Sequence, residues 1–305
     1  METEPLVSIG IAYYNAERFF EETLESVLAQ TYKNWELTLA NDGSIDGSVG
    51  IATKYAERFP GKIHCIEHPG AVNRGTAATR NLCLSKVGGK YFALLDADDV
   101  WEKVKLAQQV PLLEANPSVA MVYGRCRVWH SWTGKPEDIQ RDWITLNEGP
   151  DRVIPPPELL VRFLKTEWDQ PLTCDVVFTT ESLREVGGWN DEFPRMYEEN
   201  IVYSKIFLRY PVLWTNRCLS HYRQHPENMC HQAMARGEWQ VGKPNPIQLQ
   251  YLKWLKSYIE ENDFHTGEID AALEKAMFPY RHPRLYQVLD LLSKVQYRRK
   301  KALRP

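Results

Sequence analysis

The 305-residue sequence lacks three features that would place it in a special class of protein. Its six cysteines include no Cys-x-x-Cys pair, which argues against a zinc ribbon or a disulfide scaffold and predicts reduced core thiols. It contains no run of about eighteen apolar residues, the length that a membrane-spanning helix needs. Its net charge is −3, so the sequence lacks the excess of basic residues that is typical of nucleic-acid-binding proteins. We therefore expect no nucleic-acid partner and no transmembrane segment.

The two ends of the chain carry opposite charges. The first five residues, Met-Glu-Thr-Glu-Pro, lead directly into an apolar strand pattern and lack the basic flank of a secretory signal. We therefore expect a cytoplasmic protein. The last residues include Arg298-Arg299-Lys300-Lys301, which is most simply a solvated terminus. The alternative is a peripheral contact with the anionic inner face of a membrane.

Apolar periodicity alternates between strand and helix in the first part of the chain. Strand patterns occupy residues 7–13, 35–40, 63–67, 91–95 and 119–128, and helical patterns occupy residues 16–30, 51–59 and 76–84. This alternation predicts an α/β fold with a Rossmann-like, mostly parallel sheet flanked by helices.

The second half of the sequence is less regular. Residues 129–169 hold four tryptophans and three consecutive prolines, and we expect a long irregular connection with one helix near residues 158–165. A strand at 175–179, helices at 181–186 and 198–209, and helical patterns beyond residue 246 are expected to follow.

Three carboxylates follow the strand pattern at residues 91–95. Asp96, Asp98 and Asp99 lie within four positions, and like charges this close raise one another's pKa values. A hard divalent cation such as Mg²⁺ or Mn²⁺ would relieve this repulsion. The alternative is an exposed acidic turn, because Asp is also a common turn residue.

Two other strand patterns end in polar or aromatic residues. Tyr14 and Asp42 directly follow the first and second strands, and ligands of open α/β sheets bind at the carboxyl ends of the strands. We expect both residues to lie beside the acidic cluster. The first turn, residues 13–19, contains no glycine, which disfavours a nicotinamide-dependent dehydrogenase and also a sugar nucleotidyltransferase.

Six ordered segments resemble the family 2 glycosyltransferases, which have a GT-A fold. They are VSIGIAYYNAERFFEETLESVLAQTYKNWELTLANDGSIDGS, NRGTAATRN, LLDADDVW, VGGWNDEF, YEEN and YRQHPEN. The resemblance covers roughly residues 6–230. It implies a GT-A domain at 1–235, with a nucleotide-sugar half at about 1–110 and an acceptor half at about 111–235, and a helical C-terminal extension at 236–305.

The resemblance implies an inverting transfer of a sugar from a UDP- or dTDP-linked donor to a hydroxyl group of a glycan, lipid-linked or small-molecule acceptor. It places Tyr14 against the uracil ring, Asp42 as an acceptor of a hydrogen bond from it, and Ala12 nearby. The family often has Pro or Thr at Ala12 and Asp at Asn41, which bears on base specificity. The structural alternatives are a half-buried core aromatic for Tyr14 and an Asx turn for Asp42.

The acidic cluster resembles the family's Asp-x-Asp metal site. The resemblance implies that Asp99 binds the Mg²⁺ or Mn²⁺ ion, with Asp98 or Asp96 sharing this role, and that Asp98 also contacts the ribose or the donor sugar. It places Arg80 near the base and phosphates. The alternative for Arg80 is an exposed helix arginine in a surface ion pair.

On the acceptor side the resemblance implies a general base at the start of a helix. Glu199 is the candidate, with Glu198 as the alternative, because the family typically has the shorter Asp there. A pair that only complements the helix dipole is the structural alternative.

Two further residues lie in a segment that resembles a donor-closing loop. Arg223 is expected to hold a phosphate, and His225 to bind the metal or the pyrophosphate; the alternative for His225 is a satisfied loop residue. Trp189 is either part of the acceptor platform or a core residue. The alternative to an enzyme is a catalytically silent nucleotide-sugar-binding or scaffold protein of the same fold.

Overall fold

The computed structural model describes residues 4–145, 149–193, 196–240 and 243–302, with side chains described as far as residue 292. Within these ranges ten strands form one sheet: β1 Val7–Tyr13, β2 Trp35–Asn41, β3 Ile63–Glu67, β4 Tyr91–Leu94, β5 Val100–Trp101, β6 Met121–Trp129, β7 Trp143–Ile144, β8 Arg152–Ile154, β9 Val177–Thr179 and β10 Val212–Arg223. The order across the sheet is β3-β2-β1-β4-β9-β6-β10-β5, with β7 beside β6 and β8 beside β10.

Twelve α-helices occur in the same described ranges and flank this sheet. They are α1 Glu17–Leu28, α2 Ser48–Arg58, α3 Thr76–Leu84, α4 Lys105–Glu114, α5 Pro136–Ile139, α6 Glu158–Leu164, α7 Thr180–Glu185, α8 Glu198–Arg209, α9 Met229–Ala235, α10 Pro246–Glu261, α11 Gly267–Arg281 and α12 Pro283–Ala302. None of the helices in these ranges is long and apolar enough to cross a membrane.

The first four strands form the parallel sheet that the alternation predicts. β1 pairs in parallel with β2 and with β4, and β2 pairs in parallel with β3. β1 is covered on both faces, and its Val7, Ile9 and Ile11 are completely buried, as expected for a central parallel strand. Gly10 lies between them, and a Cβ there would lie only 2.7 Å from the ring of Phe92, so the close contact of β1 with β4 requires glycine.

The second part of the sheet is mixed. β9 pairs antiparallel with β4 and β6, and β10 pairs in parallel with β6 but antiparallel with β5 and β8. The twelve-residue β10 was not predicted from the sequence. Its pairing with β6 shifts register between Trp214 and Cys218, where exposed Asn216 and Arg217 break the apolar alternation that would have revealed a strand.

The connection between residues 129 and 169 is more regular than predicted. It contains β7, which pairs with β6, and β8, which pairs with β10, as well as the short helix α5. The helix predicted near residues 158–165 is confirmed as α6. Residues 146–148 of this segment lie outside the described ranges.

Hydrophobic clusters cover both faces of the sheet. Along β4, Tyr91 and Ala93 belong to the cluster under α1, α2 and α4, whereas Phe92 and Leu94 belong to the cluster under α3, α6 and α8. The second cluster also contains apolar residues of α10 and α11, so these C-terminal helices share the core of the sheet domain.

The cysteines are all free thiols, but they are not all core residues as predicted. Cys83, Cys126 and Cys174 are buried, whereas Cys65 is exposed.

Candidate functional site

The carboxyl ends of β1, β2 and β4 meet at one edge of the sheet, as predicted. The backbone N–H of Asp42 donates to the carbonyl of Tyr13 at 2.9 Å, and that of Leu95 donates to the carbonyl of Gly10 at 3.1 Å. The residues that follow these strands are therefore neighbours, because adjacent parallel strands end at the same edge.

Tyr14 and Asp42 differ in exposure. The side chain of Tyr14 is 52 % exposed, so the alternative of a core aromatic is wrong, and its ring is accessible to a base. Asp42 is buried, and its Oδ1 accepts hydrogen bonds from the backbone N–H groups of Arg74 at 2.7 Å and Gly75 at 3.2 Å. Asp42 thus fixes the loop before α3.

The residues beside Tyr14 and Asp42 complete this edge. The carboxylate of Asp42 binds the distant N–H groups of Arg74 and Gly75, which is not the local bond of the Asx turn proposed as its alternative. The preceding residue, Asn41, makes a local contact, in which its Oδ1 accepts a hydrogen bond from the N–H of Ser44 at 2.9 Å. Ala12 is half-buried at the end of β1, opposite Ala40 of β2.

Arg80 of α3 joins two groups of carboxylates. It is 3 % exposed, and its Nη2 lies 2.8 Å from Asp96 Oδ1, while its Nη1 lies 2.9 Å from Glu199 Oε1 and 3.4 Å from Glu198 Oε1. The alternative of an exposed arginine in a surface ion pair is therefore wrong. Carboxylates from the loop after β4 and from the start of α8 thus converge on one guanidinium of α3, which forms bonds in fixed directions.

Among the three aspartates, Asp98 is placed to face a ligand and Asp99 is not. Asp99 is fully buried, one oxygen accepts from the backbone N–H of Arg223 at 2.9 Å, and burial raises its pKa well above the ordinary value. The side chain of Asp98 is 26 % exposed, and its Oδ2 lies 2.8 Å from His225 Nε2. Of the two predicted metal ligands Asp98 and Asp99, Asp98 is therefore the accessible one, whereas Asp99 is enclosed and its Oδ2 has no hydrogen-bond partner among the described residues.

Asp96 occupies the space between Asp98 and Arg80. Burial raises its pKa, Arg80 opposes this shift, and the neighbouring charge of Asp98 adds to it. Its side chain is one-third exposed, so it remains accessible beside the guanidinium.

Arg223 is a positioning residue and not a free phosphate ligand. It is 2 % exposed, its Nε donates to the backbone carbonyl of Asp98 at 2.7 Å, and its Nη2 pairs with Glu22 at 2.7 Å. The rings of Phe19 and Trp129 lie 4.7 and 4.5 Å from its guanidinium carbon. The prediction of a phosphate contact is thus not supported, because the guanidinium is enclosed and already bonded.

His225 follows β10 and remains near the acidic cluster. It is buried, and its Nδ1 lies 3.1 Å from Glu227 Oε2, which leaves Nε2 directed at Asp98. A carboxylate beside one ring nitrogen fixes the orientation of an imidazole that binds metal through the other.

Within the described ranges, no three His, Cys, Asp or Glu side chains group closely enough to hold a metal by themselves. Asp98 and His225 nevertheless fit an ion such as Mn²⁺, since divalent ions in nucleotide sites commonly take one or two protein ligands and complete their shell with phosphates and water.

The two glutamates at the start of α8 have opposite protonation tendencies. Glu198 is 2 % exposed, and burial together with the charge of Glu199 raises its pKa well above the ordinary value. Burial also raises the pKa of Glu199, but Arg80 and the hydroxyl of Thr173, which donates to Glu199 Oε1 at 3.0 Å, outweigh this and lower it. The side chain of Glu199 is 21 % exposed. Glu199 is therefore the ionised and accessible carboxylate of the pair.

Sequence reasoning missed Thr173 and the aromatic rings around Arg223. Thr173 lies in a short 3₁₀ turn that no motif marked, whereas the tryptophans of residues 129–169 were visible as an unexplained cluster. Trp189 is 4 % exposed and packs edge-on against Phe92 and Phe178, so it is a core residue and not an acceptor platform.

Comparison with known proteins is consistent with this geometry. The sequence profile of the family described as Glycosyl transferase family 2 matches residues 8–161. The putative glycosyltransferase EpsE of Bacillus subtilis is 42 % identical over 114 residues, which are 37 % of this chain and 40 % of that protein. The Escherichia coli protein WfgD, named as a UDP-Glc:α-D-GlcNAc-diphosphoundecaprenol β-1,3-glucosyltransferase, is 35 % identical over 123 residues, 40 % of this chain and 46 % of that protein. The matches thus span less than half the length of these relatives.

Solved structures show the fold. TarS of S. aureus in complex with UDP-GlcNAc aligns with a TM-score of 0.67 at 15 % identity, covering 90 % of this chain and 73 % of that one. The mannosyltransferase PcManGT of Pyrobaculum calidifontis, in complex with GDP-Man and Mn²⁺, aligns with a TM-score of 0.56 at 18 % identity, covering 97 % and 81 %. These likenesses confirm the predicted GT-A type α/β fold with C-terminal helices.

Proposed function

The chain belongs to glycosyl transferase family 2, and we propose that it transfers a sugar from a UDP-sugar to the hydroxyl group of an acceptor. The transfer inverts the configuration of the sugar and uses a bound divalent ion. The observation that carries the proposal is the contact of Arg80 with Asp96 on one side and Glu199 on the other, at 2.8 and 2.9 Å. The guanidinium of Arg80 thereby sets the distance between Asp96 on the donor side and Glu199 on the acceptor side. Family membership supports an enzyme over the catalytically silent binding protein.

On the donor side, the exposed ring of Tyr14 stacks on the uracil, and Asp42 holds the loop that borders it. Relatives support a uridine donor, because WfgD is named as using UDP-Glc and TarS is seen with UDP-GlcNAc. Asp98 and His225 hold the Mg²⁺ or Mn²⁺ ion, and Asp96 faces the donor sugar beside Arg80.

The metal, when bound, neutralises charge that develops on the departing diphosphate. The protein residues described next hold the acidic loop in a fixed position. The Nε of Arg223 donates to the backbone carbonyl of Asp98, and the backbone N–H of Arg223 donates to the carboxylate of Asp99. The end of β10 therefore fixes the position of the acidic loop. A carboxylate fixed in this way does not need to reorganise during the reaction.

On the acceptor side, Glu199 accepts the proton of the attacking hydroxyl. Arg80 and Thr173 both bind its Oε1, which orients the carboxylate and keeps it ionised. Inversion requires the acceptor to attack opposite the leaving group, and a fixed base on that side removes the proton as the new bond forms. Since WfgD is named as acting on a diphosphoundecaprenol-linked sugar, we propose a lipid-linked glycan acceptor.

The test is a transfer assay with UDP-Glc or UDP-GlcNAc, Mn²⁺ and a lipid-linked GlcNAc acceptor, in which released UDP is measured. Glu199→Gln is expected to lower kcat by about 10²–10⁴-fold, the usual contribution of a general base, while UDP binding measured by thermal shift stays intact. Glu198→Gln should have a much smaller effect, because burial raises the pKa of Glu198 and its side chain is only 2 % exposed, so it is less suited than Glu199 to take a proton from the acceptor.

The matched control is Glu268→Gln, which removes an exposed first-turn glutamate from α11 and should leave kcat unchanged. Near-normal turnover by Glu199→Gln would show that the base lies elsewhere. Failure of UDP and Mn²⁺ to raise the melting temperature of the unmodified protein would count against the donor assignment itself.

A further inference from the structure

The last described helix leaves an apolar face uncovered. α12 exposes five large apolar side chains: Leu285 at 51 %, Val288 at 53 %, Leu289 at 48 %, Leu291 at 63 % and Leu292 at 54 %. Four of them are spaced i, i+3, i+4 and i+7 and form one stripe along the helix. The two preceding helices differ, since α10 and α11 bury their apolar stripes in the core.

The charge of the same segment is strongly one-sided. From residue 283 to the end the sequence has one acidic residue, Asp290, although the chain as a whole has a net charge of −3. The segment has seven basic residues: Arg284, Lys294, Arg298, Arg299, Lys300, Lys301 and Arg304. An uncovered apolar stripe followed by concentrated positive charge is the pattern of a helix that lies in a membrane interface.

We propose that α12 docks on the surface of an anionic bilayer, with the stripe of Leu285, Val288, Leu289 and Leu292 in the boundary between headgroups and acyl chains. The positive charge that the sequence concentrates after this stripe favours anionic, phosphate-bearing headgroups. A second copy of the chain paired in parallel would bring two strongly basic segments together, whereas an anionic surface attracts the same charge. Docking by α12 does not depend on the transfer reaction proposed above.

Vesicle co-sedimentation tests this proposal directly. We expect the full chain to pellet with vesicles of phosphatidylcholine and phosphatidylglycerol, and to bind vesicles of phosphatidylcholine alone at least about tenfold more weakly. Raising the salt concentration should release the protein from the anionic vesicles, because the headgroup attraction is screened.

Leu289→Glu combined with Leu292→Glu should lower the vesicle partition coefficient by at least about tenfold, since both charges would lie in the interface. Both side chains are about half exposed, so the variant should retain the circular dichroism and melting temperature of the parent. Ile139→Glu is the control, because Ile139 is 63 % exposed on α5, and it should bind vesicles normally.

Three results would overturn the proposal. One is no pelleting with anionic vesicles; another is equal binding by the parent and the double variant. The third is that light scattering detects a dimer of the parent but a monomer of the double variant, while neither protein binds vesicles. This result would assign the stripe to contact between two copies of the chain.

Discussion

Replacing Arg80 by methionine should markedly lower the melting temperature (Tm) of the protein. Arg80 is 3 % exposed and contacts the carboxylates of Asp96, Glu198 and Glu199, so its loss leaves buried negative charge without a partner. Breaking a buried ion pair from one side costs about 3–5 kcal/mol. For a chain of this size, that corresponds to a decrease of about 5–8 °C in Tm.

The stability lost in Arg80→Met should decrease as the pH falls. Arg80 lowers the pKa of Glu199 below its ordinary value of 4.5, so this contact stabilises the fold above that pH and its contribution disappears as the pH falls through the folded-state pKa. In Arg80→Met the largest influences that lower the pKa values of Glu199 and Asp96 are lost, and burial, which raises both, is no longer opposed by a cation. The difference in Tm between parent and variant should therefore be largest where the carboxylates are ionised in both proteins, and shrink as the pH falls toward 4.5 and they are protonated first in the variant.

Differential scanning calorimetry across this pH range measures the effect, with Arg58→Met as the control. Arg58 pairs with Glu25 at 3.4 Å, but both side chains are more than half exposed, so its removal should change stability by about 0–1 kcal/mol. If Arg80→Met lowers Tm no more than Arg58→Met does, or if its effect does not shrink as the pH falls, then the guanidinium does not hold the carboxylates together as described.

Three other substitutions test separate parts of the molecule. Tyr14→Ala should raise KM for the donor by about 5–150-fold, as the loss of one base–aromatic stack would, while Tyr14→Phe keeps it; unchanged KM in Tyr14→Ala would place the base elsewhere. Asp98→Asn should raise the Mn²⁺ concentration that gives half-maximal activity, whereas Asp263→Asn on an exposed turn should not; equal metal dependence of both would reject Asp98 as a ligand. Lys105→Met should lower stability by about 3–5 kcal/mol in urea titrations, because its Nζ lies 3.9 Å from Asp175 Oδ1 in a fully buried pair. Adding Asp175→Asn should recover part of that loss, and full additivity would contradict the pairing.

The parallel part of the fold could be predicted because its strands are completely covered. β1 and β4 therefore consist of short apolar runs with unambiguous ends, and the helices between strands show regular apolar spacing. β10 could not be predicted from local pattern, because it contains exposed polar residues at its register shift and gains its stability from pairing with β6, some ninety positions earlier.

The candidate site was predicted in composition but not in detail. Strand ends marked Tyr14, Asp42 and the aspartates, since their position depends only on sheet topology. The choice between Asp98 and Asp99 depends on which way each side chain turns at the end of a strand, and the sequence does not show this. The resemblance singled out Arg80, but its contacts with three carboxylates could not be predicted, because these partners lie 16, 118 and 119 positions away.

The bonds of Arg223 to the acidic loop have a consequence for how the protein is made. Arg223 binds the backbone of Asp98 from a position 125 residues later, so the acidic loop of residues 96–99 gains its final support only when β10 joins the sheet. During synthesis the ribosome must release residue 223 before the loop can adopt this conformation. A nascent chain that ends before β10 therefore contains the acidic residues without their completed geometry. If this loop binds the donor as proposed, we expect donor binding to arise late, together with closure of the sheet.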